Sequence, residues 1–200
     1  MTTLTYTAEQ RTVLLGVGTD AIRQILERGV DAPPEVAGHD DTLRRPAATF
    51  VTLERDRRLL GCIGSLEPTH PLVTDVARNA VAAAFRDPRL PPVTADDYRT
   101  MSIEISVLSE LAPVPATTYD ELVASLSPGR DGLVVEAGPH RATFLPAVWR
   151  HFGVDVDAFL DGLWRKAGLA PGTWPRDARC SRYTAEKLVD PGPRPPVGAA

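Results

Sequence analysis

One cysteine of the sequence has the surroundings expected of a reactive thiol. Cys62 lies between Gly61 and Gly64, at the end of an apolar run and shortly before a predicted helix. The positive end of a helix dipole stabilises a thiolate, and glycines let the backbone approach a ligand closely. The sequence therefore predicts a nucleophilic or redox thiol at Cys62, with Gly61 and Gly64 as ligand-binding positions. The alternative is a small buried core residue, with the two glycines serving a turn or a bulge.

A histidine and a glutamate could complete a catalytic set with this cysteine. His70 follows Cys62 by eight residues and could act as its general base, while Glu104 could orient the histidine. Glu104 lies in an alternating run, which gives its side chain the direction opposite to that of Ile103 and Ile105. A histidine beside a proline at a helix start has a second interpretation, as a cap or a solvated side chain.

An acidic and a basic residue follow the predicted helix after Cys62. Asp87 and Arg89 flank a proline, and the guanidinium of Arg89 could hold a carboxylate or a phosphate of a substrate. The alternative is a loop in which Arg89 pairs with Asp87 or caps the carbonyls of the helix. We favour this alternative from the sequence, because such contacts are common at helix ends.

The sequence shows no metal or nucleotide motif. The four histidines and the two cysteines, Cys62 and Cys180, have none of the spacings of known metal sites. The glycines around Cys62 match neither a dinucleotide-binding nor a phosphate-binding loop, and the serine hydrolase motif is absent. We therefore expect no metal site and no cofactor.

Hydrophobic periodicity predicts the elements that would position these residues. Thr7 and Gln10 form a capping-box pattern at the start of a first helix. A helix over 72–85 is predicted from its single apolar face, with a cap at Thr69 or His70. Two further strands are predicted, one over 48–53 and one that ends at residue 64, joined by a polar loop over 54–58. The remaining predictions are a strand over 102–108, a short helix over 118–125, a hairpin over 133–145, helices between 146 and 168, and a last strand over 181–186.

Composition excludes several classes of protein. A chain of 200 residues with 43% hydrophobic and 24% charged residues is long and apolar enough for an ordinary globular core. The net charge of -4 gives no overall attraction to nucleic acid or to an anionic membrane, and a local basic patch is the alternative. No apolar run reaches the length of a membrane span, and the N-terminus lacks the pattern of a signal peptide. We therefore expect a cytoplasmic protein with neither membrane nor nucleic acid as a partner.

Ordered motifs along the chain make it similar to a known family. The sequence resembles the AmmeMemoRadiSam system protein A family, the AMMECR-one domain, from about residue 8 to about residue 189. The motifs that carry the resemblance are Leu60 to Leu66, Asn79-Ala80 with Ala83 to Arg89, Ile103 to Ser109, Gly132-Leu133, Thr143 to Trp149, and Lys166 to Leu169 with Trp174.

The resemblance implies a fold and a set of candidate site residues. The implied fold is α/β (α+β), with an antiparallel sheet flanked by helices and a smaller second α/β lobe. A single domain of two unequal lobes would then span residues 1–190, and the proline-rich residues 191–200 are predicted to be a disordered tail. The signature motif is centred on Gly61 to Gly64, and the other matched positions are Asn79, Asp87, Arg89 and Glu104. The family usually has arginine where this chain has Leu60, which removes an anion-binding side chain.

Two functions follow as hypotheses. The first is an enzyme or substrate-binding protein whose cleft, built around Cys62, Glu104 and the loop from Asp87 to Arg89, takes a small polar ligand and uses the thiol. The second is a non-catalytic adaptor for Memo-like and radical SAM proteins, because the resemblance implies that genes for such proteins lie nearby.

Overall fold

The protein folds into two compact units, each with its own sheet. The computed structural model of the chain describes residues 5–32 and 34–198. Of the described residues, the first unit contains those from 5 to 108 together with those from 186 to 198, and the second contains residues 109–185. Each unit has one four-stranded sheet, and the strand pairs are antiparallel wherever their register is defined. The predicted combination of helices with antiparallel sheet is therefore confirmed.

Helices and strands are interspersed along the chain, often in consecutive pairs of one type. The helices are α1 (Ala8–Arg28), α2 (Asp41–Arg44), α3 (Leu72–Phe85), α4 (Ala95–Thr100), α5 (Tyr119–Ser125) and α6 (Val156–Ala167), with a 3-10 helix at Pro146–His151. The strands are β1 (Thr49–Arg55), β2 (Arg58–Gly64), β3 (Ser102–Leu108), β4 (Ala112–Val114), β5 (Gly132–Ala137), β6 (His140–Phe144), β7 (Arg179–Tyr183) and β8 (Ala185–Asp190).

The sheet of the first unit has one apolar and one largely polar face. Its strand order is β2-β1-β3-β8, with Val51 paired to Ile105 and Thr52 paired to Glu104. Val51 and Ile105 are fully buried and belong to one core with Leu14 of α1 and residues of α3. Since successive side chains of a strand point to opposite faces, Thr52 and Glu104 lie on the face opposite this core.

The hairpin that precedes Cys62 has a tighter turn than the sequence predicts. The predicted loop of five polar residues is wrong, because β1 extends to Arg55 and β2 begins at Arg58. Asp56 and Arg57 alone make the turn, with φ angles of 51° and 65°. Positive φ at both central residues is the type I′ geometry that matches the twist of the two strands. Its usual sequence signal is Asn-Gly, which this turn lacks.

The helix ends test the predicted caps. The capping box of α1 is confirmed, since Thr7 accepts from the Gln10 backbone and Gln10 accepts from that of Thr7. The predicted cap of α3 at Thr69 or His70 is wrong, because the N-cap is Pro71 and no side chain bonds the first turn. The start of α3 is therefore fixed by packing, with Leu72 and Val73 fully buried.

The second unit is built on an aromatic core. Its sheet has the order β4-β7-β5-β6, and α6 contacts β5 and β6. Trp149 stacks on Phe159 with ring centroids 3.8 Å apart, and Trp149 Nε1 donates to the carbonyl of Asp131. The single strand predicted over 181–186 is wrong, because β7 and β8 are separate strands in different sheets.

Two predictions concern the ends of the chain, where the structure does not describe every residue. Residues 1–4, which carry part of the expectation of no signal peptide, and residues 199 and 200 lie outside them. In the segment predicted as a disordered tail, Arg194 donates to the Met101 carbonyl and to Asp190 Oδ2, both at 2.6 Å. Within the described ranges, no helix has the length and apolar composition needed to cross a bilayer.

Candidate functional site

Cys62 lies in an edge strand, and both of its backbone polar groups point away from β1. Its N–H donates to Asp87 Oδ2 at 3.0 Å, and its carbonyl accepts from Arg89 Nη2 at 2.9 Å. Cys62 is paired with Thr52, so this pair is a non-hydrogen-bonded one, in which the side chains come closest. The Thr52 hydroxyl donates to Cys62 Sγ at 3.4 Å. The half-buried thiol therefore lies on the face of the sheet opposite the helical core.

Asp87 and Arg89 form a clasp on the free edge of β2. The buried Asp87 carboxylate accepts from the Cys62 N–H and from the backbone N, Nε and Nη2 of Arg89. These bonds hold the pKa of Asp87 well below its ordinary value, and those from the Arg89 side chain contribute most. The side-chain hydrogen bonding between the two residues also raises the pKa of Arg89. The pairing that we favoured from the sequence is confirmed. A role of either residue in ligand binding stays a prediction, and the Arg89 side chain is 61% exposed.

The two glycines beside Cys62 make room for the protein itself. A Cβ added at Gly61 would lie 1.9 Å from the carbonyl oxygen of Ala83 in α3. At Gly64 it would lie 2.3 Å from Cγ of Phe50. The space that a ligand would need beside these two Cα atoms is thus filled by backbone and by an aromatic ring. This geometry supports the structural alternative for both glycines.

Four side chains cross the open face of this sheet in one line, which we call the polar row. The row consists of Cys62, Thr52, Glu104 and Lys187, from β2, β1, β3 and β8 respectively. Lys187 Nζ lies 2.9 Å from Glu104 Oε2, and both side chains are partly open to solvent. Lys187 is not among the site residues predicted from the sequence, although its alternation with the buried Leu188 is typical of a strand.

The proposed catalytic base is bonded elsewhere. The ring of His70 makes its hydrogen bond with the Thr69 hydroxyl, Nδ1 to Oγ1, at 2.8 Å. Cys62 Sγ is bonded to Thr52, and Glu104 to Lys187. The hydrogen bonds and the ion pair described for these three side chains therefore join none of them to another, and a catalytic role of His70 remains a prediction without geometric support.

Asn79 belongs to a buried polar network between α3 and β1. Its Nδ2 donates to the carbonyl and the hydroxyl of Thr49 and to Asp75 Oδ2, at 3.0 to 3.1 Å. The Thr49 hydroxyl also donates to Asp75 Oδ2 at 2.7 Å. Burial raises the pKa of Asp75. The amide nitrogen of Asn79 is thus committed to the protein, and its predicted contact with a substrate remains untested.

The described part of the chain holds no group of three or more histidine, cysteine, aspartate or glutamate side chains arranged to bind a metal ion. The chemistry of the polar row comes instead from one thiol, one hydroxyl that donates to it, and one ion pair. A thiol supplies a nucleophile, and the ion pair supplies partners for a charged or polar ligand.

A family model and known relatives match most of the chain. The AMMECR1 family model matches residues 16–188. A protein of Thermofilum pendens is 34% identical over 200 aligned residues, covering 94% of this chain and 92% of that protein. A protein of Thermococcus gammatolerans is 37% identical over 180 residues, covering 87% and 84%.

A solved structure has the same fold. The crystal structure of an uncharacterized protein from Pyrococcus horikoshii matches with a TM-score of 0.83 at 33% identity, over 92% of each chain. The resemblance found in the sequence is therefore confirmed. The chain belongs to the AMMECR1 family, the family of the AMMECR-one domain.

Proposed function

We propose that this member of the AMMECR1 family binds a small polar ligand on the polar row and that the thiol of Cys62 attacks or contacts it. The single observation that carries this proposal is the hydrogen bond from the Thr52 hydroxyl to Cys62 Sγ, within a row that also contains Glu104. This bond holds the sulfur, the nucleophilic atom of a cysteine side chain, at a defined position on the open face.

Binding is better supported than a complete catalytic cycle. A catalytic cysteine needs a group that takes its proton, and the His70 ring is bonded to Thr69. The proton of Cys62 would therefore pass to solvent or to the ligand. The position of Cys62 in the row is fixed, because the clasp of Asp87 and Arg89 bonds both its N–H and its carbonyl.

The rate of alkylation of Cys62 tests this proposal. We expect iodoacetamide to modify Cys62 faster than free cysteine somewhere between pH 6 and 9, as followed by intact mass. Cys180→Ser keeps Cys62 as the only cysteine, and Cys62→Ser gives the background. A ligand found by screening should lose affinity in Cys62→Ser. If Cys62 reacts no faster than free cysteine and Cys62→Ser retains full ligand binding, the thiol has no part in the function.

A second candidate is the adaptor for Memo-like and radical SAM proteins. The observation that favours it is that Asp87 and Glu104 already have partners within the chain, as a fixed recognition surface requires. Coexpression with both proteins and pull-down is the test. A stable complex that survives Cys62→Ala supports the adaptor, and loss of the complex in that variant argues against it. The cytoplasmic location remains part of this proposal.

A further inference from the structure

We infer that the ligand of the polar row carries a primary ammonium group, which Glu104 binds, and that Lys187 limits the strength of this preference. The inference rests on the proposed function, because it requires that a ligand reach Cys62 on this face. It assigns a specificity-determining role to Lys187, which is not among the site residues predicted from the sequence.

The register of the sheet sets the distance that such a ligand spans. Cys62 and Glu104 are both paired with Thr52, which lies between them in β1. Their Cα atoms are thus two strand spacings apart, about 10 Å. A ligand that touches the thiol with one end and the carboxylate with the other therefore passes over the Thr52 hydroxyl, and it needs only a few bonds between its two functional groups.

The charges on this face favour a cation. Glu54 lies two residues after Thr52 on the same strand, so its carboxylate faces the same side of the sheet as that of Glu104. Lys187 brings one positive charge to this end of the row, against the two carboxylates. At the other end, Asp87 and Arg89 neutralise each other. These five charged side chains together leave one negative charge in excess, at the end of the row near Glu104.

The ion pair of Glu104 and Lys187 can exchange partners. The side chain of Glu104 is 26% exposed and that of Lys187 is 44% exposed. Pairs this open to water contribute little to folding stability, because solvent competes for both charges. The ammonium of a ligand can therefore replace Lys187 Nζ at the same carboxylate. Lys187 acts as a built-in competitor, and its removal should strengthen the binding of a cation.

Thiol–disulfide exchange with small symmetrical disulfides measures this preference directly. The Cys62 thiolate attacks one sulfur, the S–S bond breaks, and the released thiolate takes a proton from water. The probes are cystamine, which is cationic, 2-hydroxyethyl disulfide, which is neutral, and 3,3′-dithiodipropionate, which is anionic. The Cys180→Ser chain is used throughout, and intact mass follows the mixed disulfide at Cys62. Each rate is divided by that of 2-mercaptoethanol with the same probe, which removes intrinsic differences among the disulfides.

We expect the normalised rate to be highest for cystamine and lowest for dithiodipropionate, by about tenfold at low salt. Glu104→Gln should reduce this ratio severalfold, and Lys187→Met should increase it. These opposite changes distinguish specificity from structure, since a merely structural ion pair would give both variants the same effect. Salt should reduce the ratio in the unsubstituted chain.

Arg23→Met is the matched control for Lys187→Met. It removes one partly exposed positive charge from α1, the helix that packs on the opposite face of the sheet. It should leave the ratio unchanged. Equal normalised rates for the three probes, or a preference for the anion, would overturn the inference while the thiol remains reactive. If Cys62 reacts with none of them, including the neutral probe, the proposed function fails and the inference fails with it.

Discussion

The two cysteines of this chain lie in similar strands and have opposite environments. Cys62 is in β2 of the first unit and Cys180 is in β7 of the second, each within a four-stranded sheet. Cys180 is 4% exposed, belongs to the core that α6 covers, and burial raises its pKa to about 12. Cys62 lies on the face opposite the helices, and its sulfur accepts a hydrogen bond. The face of the strand, rather than the residue type, decides which thiol is available.

One strand from each sheet shows the same contrast. In β3 of the first unit, the partly exposed Glu104 alternates with the fully buried Ile103 and Ile105. In β5 of the second unit, the consecutive residues Val134 and Val135 are both buried, so an apolar side chain is buried on each face of that strand at these positions. The first sheet thus keeps one face for polar groups, and this is the sheet that carries the candidate site.

The largest expected effect concerns the protection of Cys180. Burial raises the pKa of Cys180 from 9.0 to about 12, which lowers its thiolate fraction at neutral pH about a thousandfold. The Cys62→Ser variant is used to measure this effect. The thiolate forms only as the pH rises towards 12, so iodoacetamide should modify folded Cys180 at least that much more slowly than an unperturbed thiol. Intact mass provides the rate. Rapid modification at pH 7 without denaturant would break the contrast between the two cysteines, and guanidinium should restore ordinary reactivity.

A methyl group at Gly61 should destabilise the first unit strongly. Gly61→Ala puts a Cβ 1.9 Å from the Ala83 carbonyl oxygen, and a helix backbone cannot move as a flexible side chain can. We expect the free energy of unfolding in urea to fall by about 3 kcal/mol. Gly16→Ala in α1 is the matched control, because its Cβ would meet nothing within 4 Å. That change should be neutral or should stabilise by about 0.5–1 kcal/mol, and equal losses in both variants would contradict the close packing of β2 on α3.

Removal of the Asp87 carboxylate should have a smaller effect. Asp87→Ala leaves the Cys62 N–H without its acceptor, which costs about 1–3 kcal/mol in the free energy of unfolding. Asp87→Asn should lose less, because the amide oxygen still accepts a hydrogen bond. Chemical denaturation at pH 7 measures both. An Asp87→Asn variant that is less stable than Asp87→Ala would contradict the role of Asp87 as an acceptor for the strand edge.

Acid should weaken the same clasp. The pKa of Asp87 is depressed in the folded protein, so its contribution to stability is complete above its ordinary pKa and is lost as the pH falls below that value towards the folded pKa. The difference in unfolding free energy between the unsubstituted chain and Asp87→Asn should therefore shrink below about pH 4.

Much of the fold was predictable because local signals agreed with tertiary structure. The capping box at Thr7 and Gln10 and the alternation over 102–108 are each local and complete in the sequence. The exact turn was not predictable, since Arg57 at positive φ carries no turn signal and the hairpin imposes its conformation.

The candidate site was predictable only in part. The pairing of Asp87 with Arg89 follows from their spacing in one loop, and the direction of Glu104 follows from strand alternation. The partners Thr52 and Lys187 depend on strand register and strand order, which a single sequence does not fix. The catalytic role predicted for His70 stays a prediction, because nearness in sequence does not decide where a ring points, and the hydrogen bond of His70 Nδ1 is with its own neighbour, Thr69.

The clasp on β2 also has a consequence for how copies of this chain meet. An incoming strand from a second molecule would need the N–H and the carbonyl of Cys62 at the free edge of the sheet. Asp87 and Arg89 already occupy both groups. Two side chains thus stand where a fifth strand would pair, and they protect this edge against the strand-to-strand aggregation to which open sheets are prone.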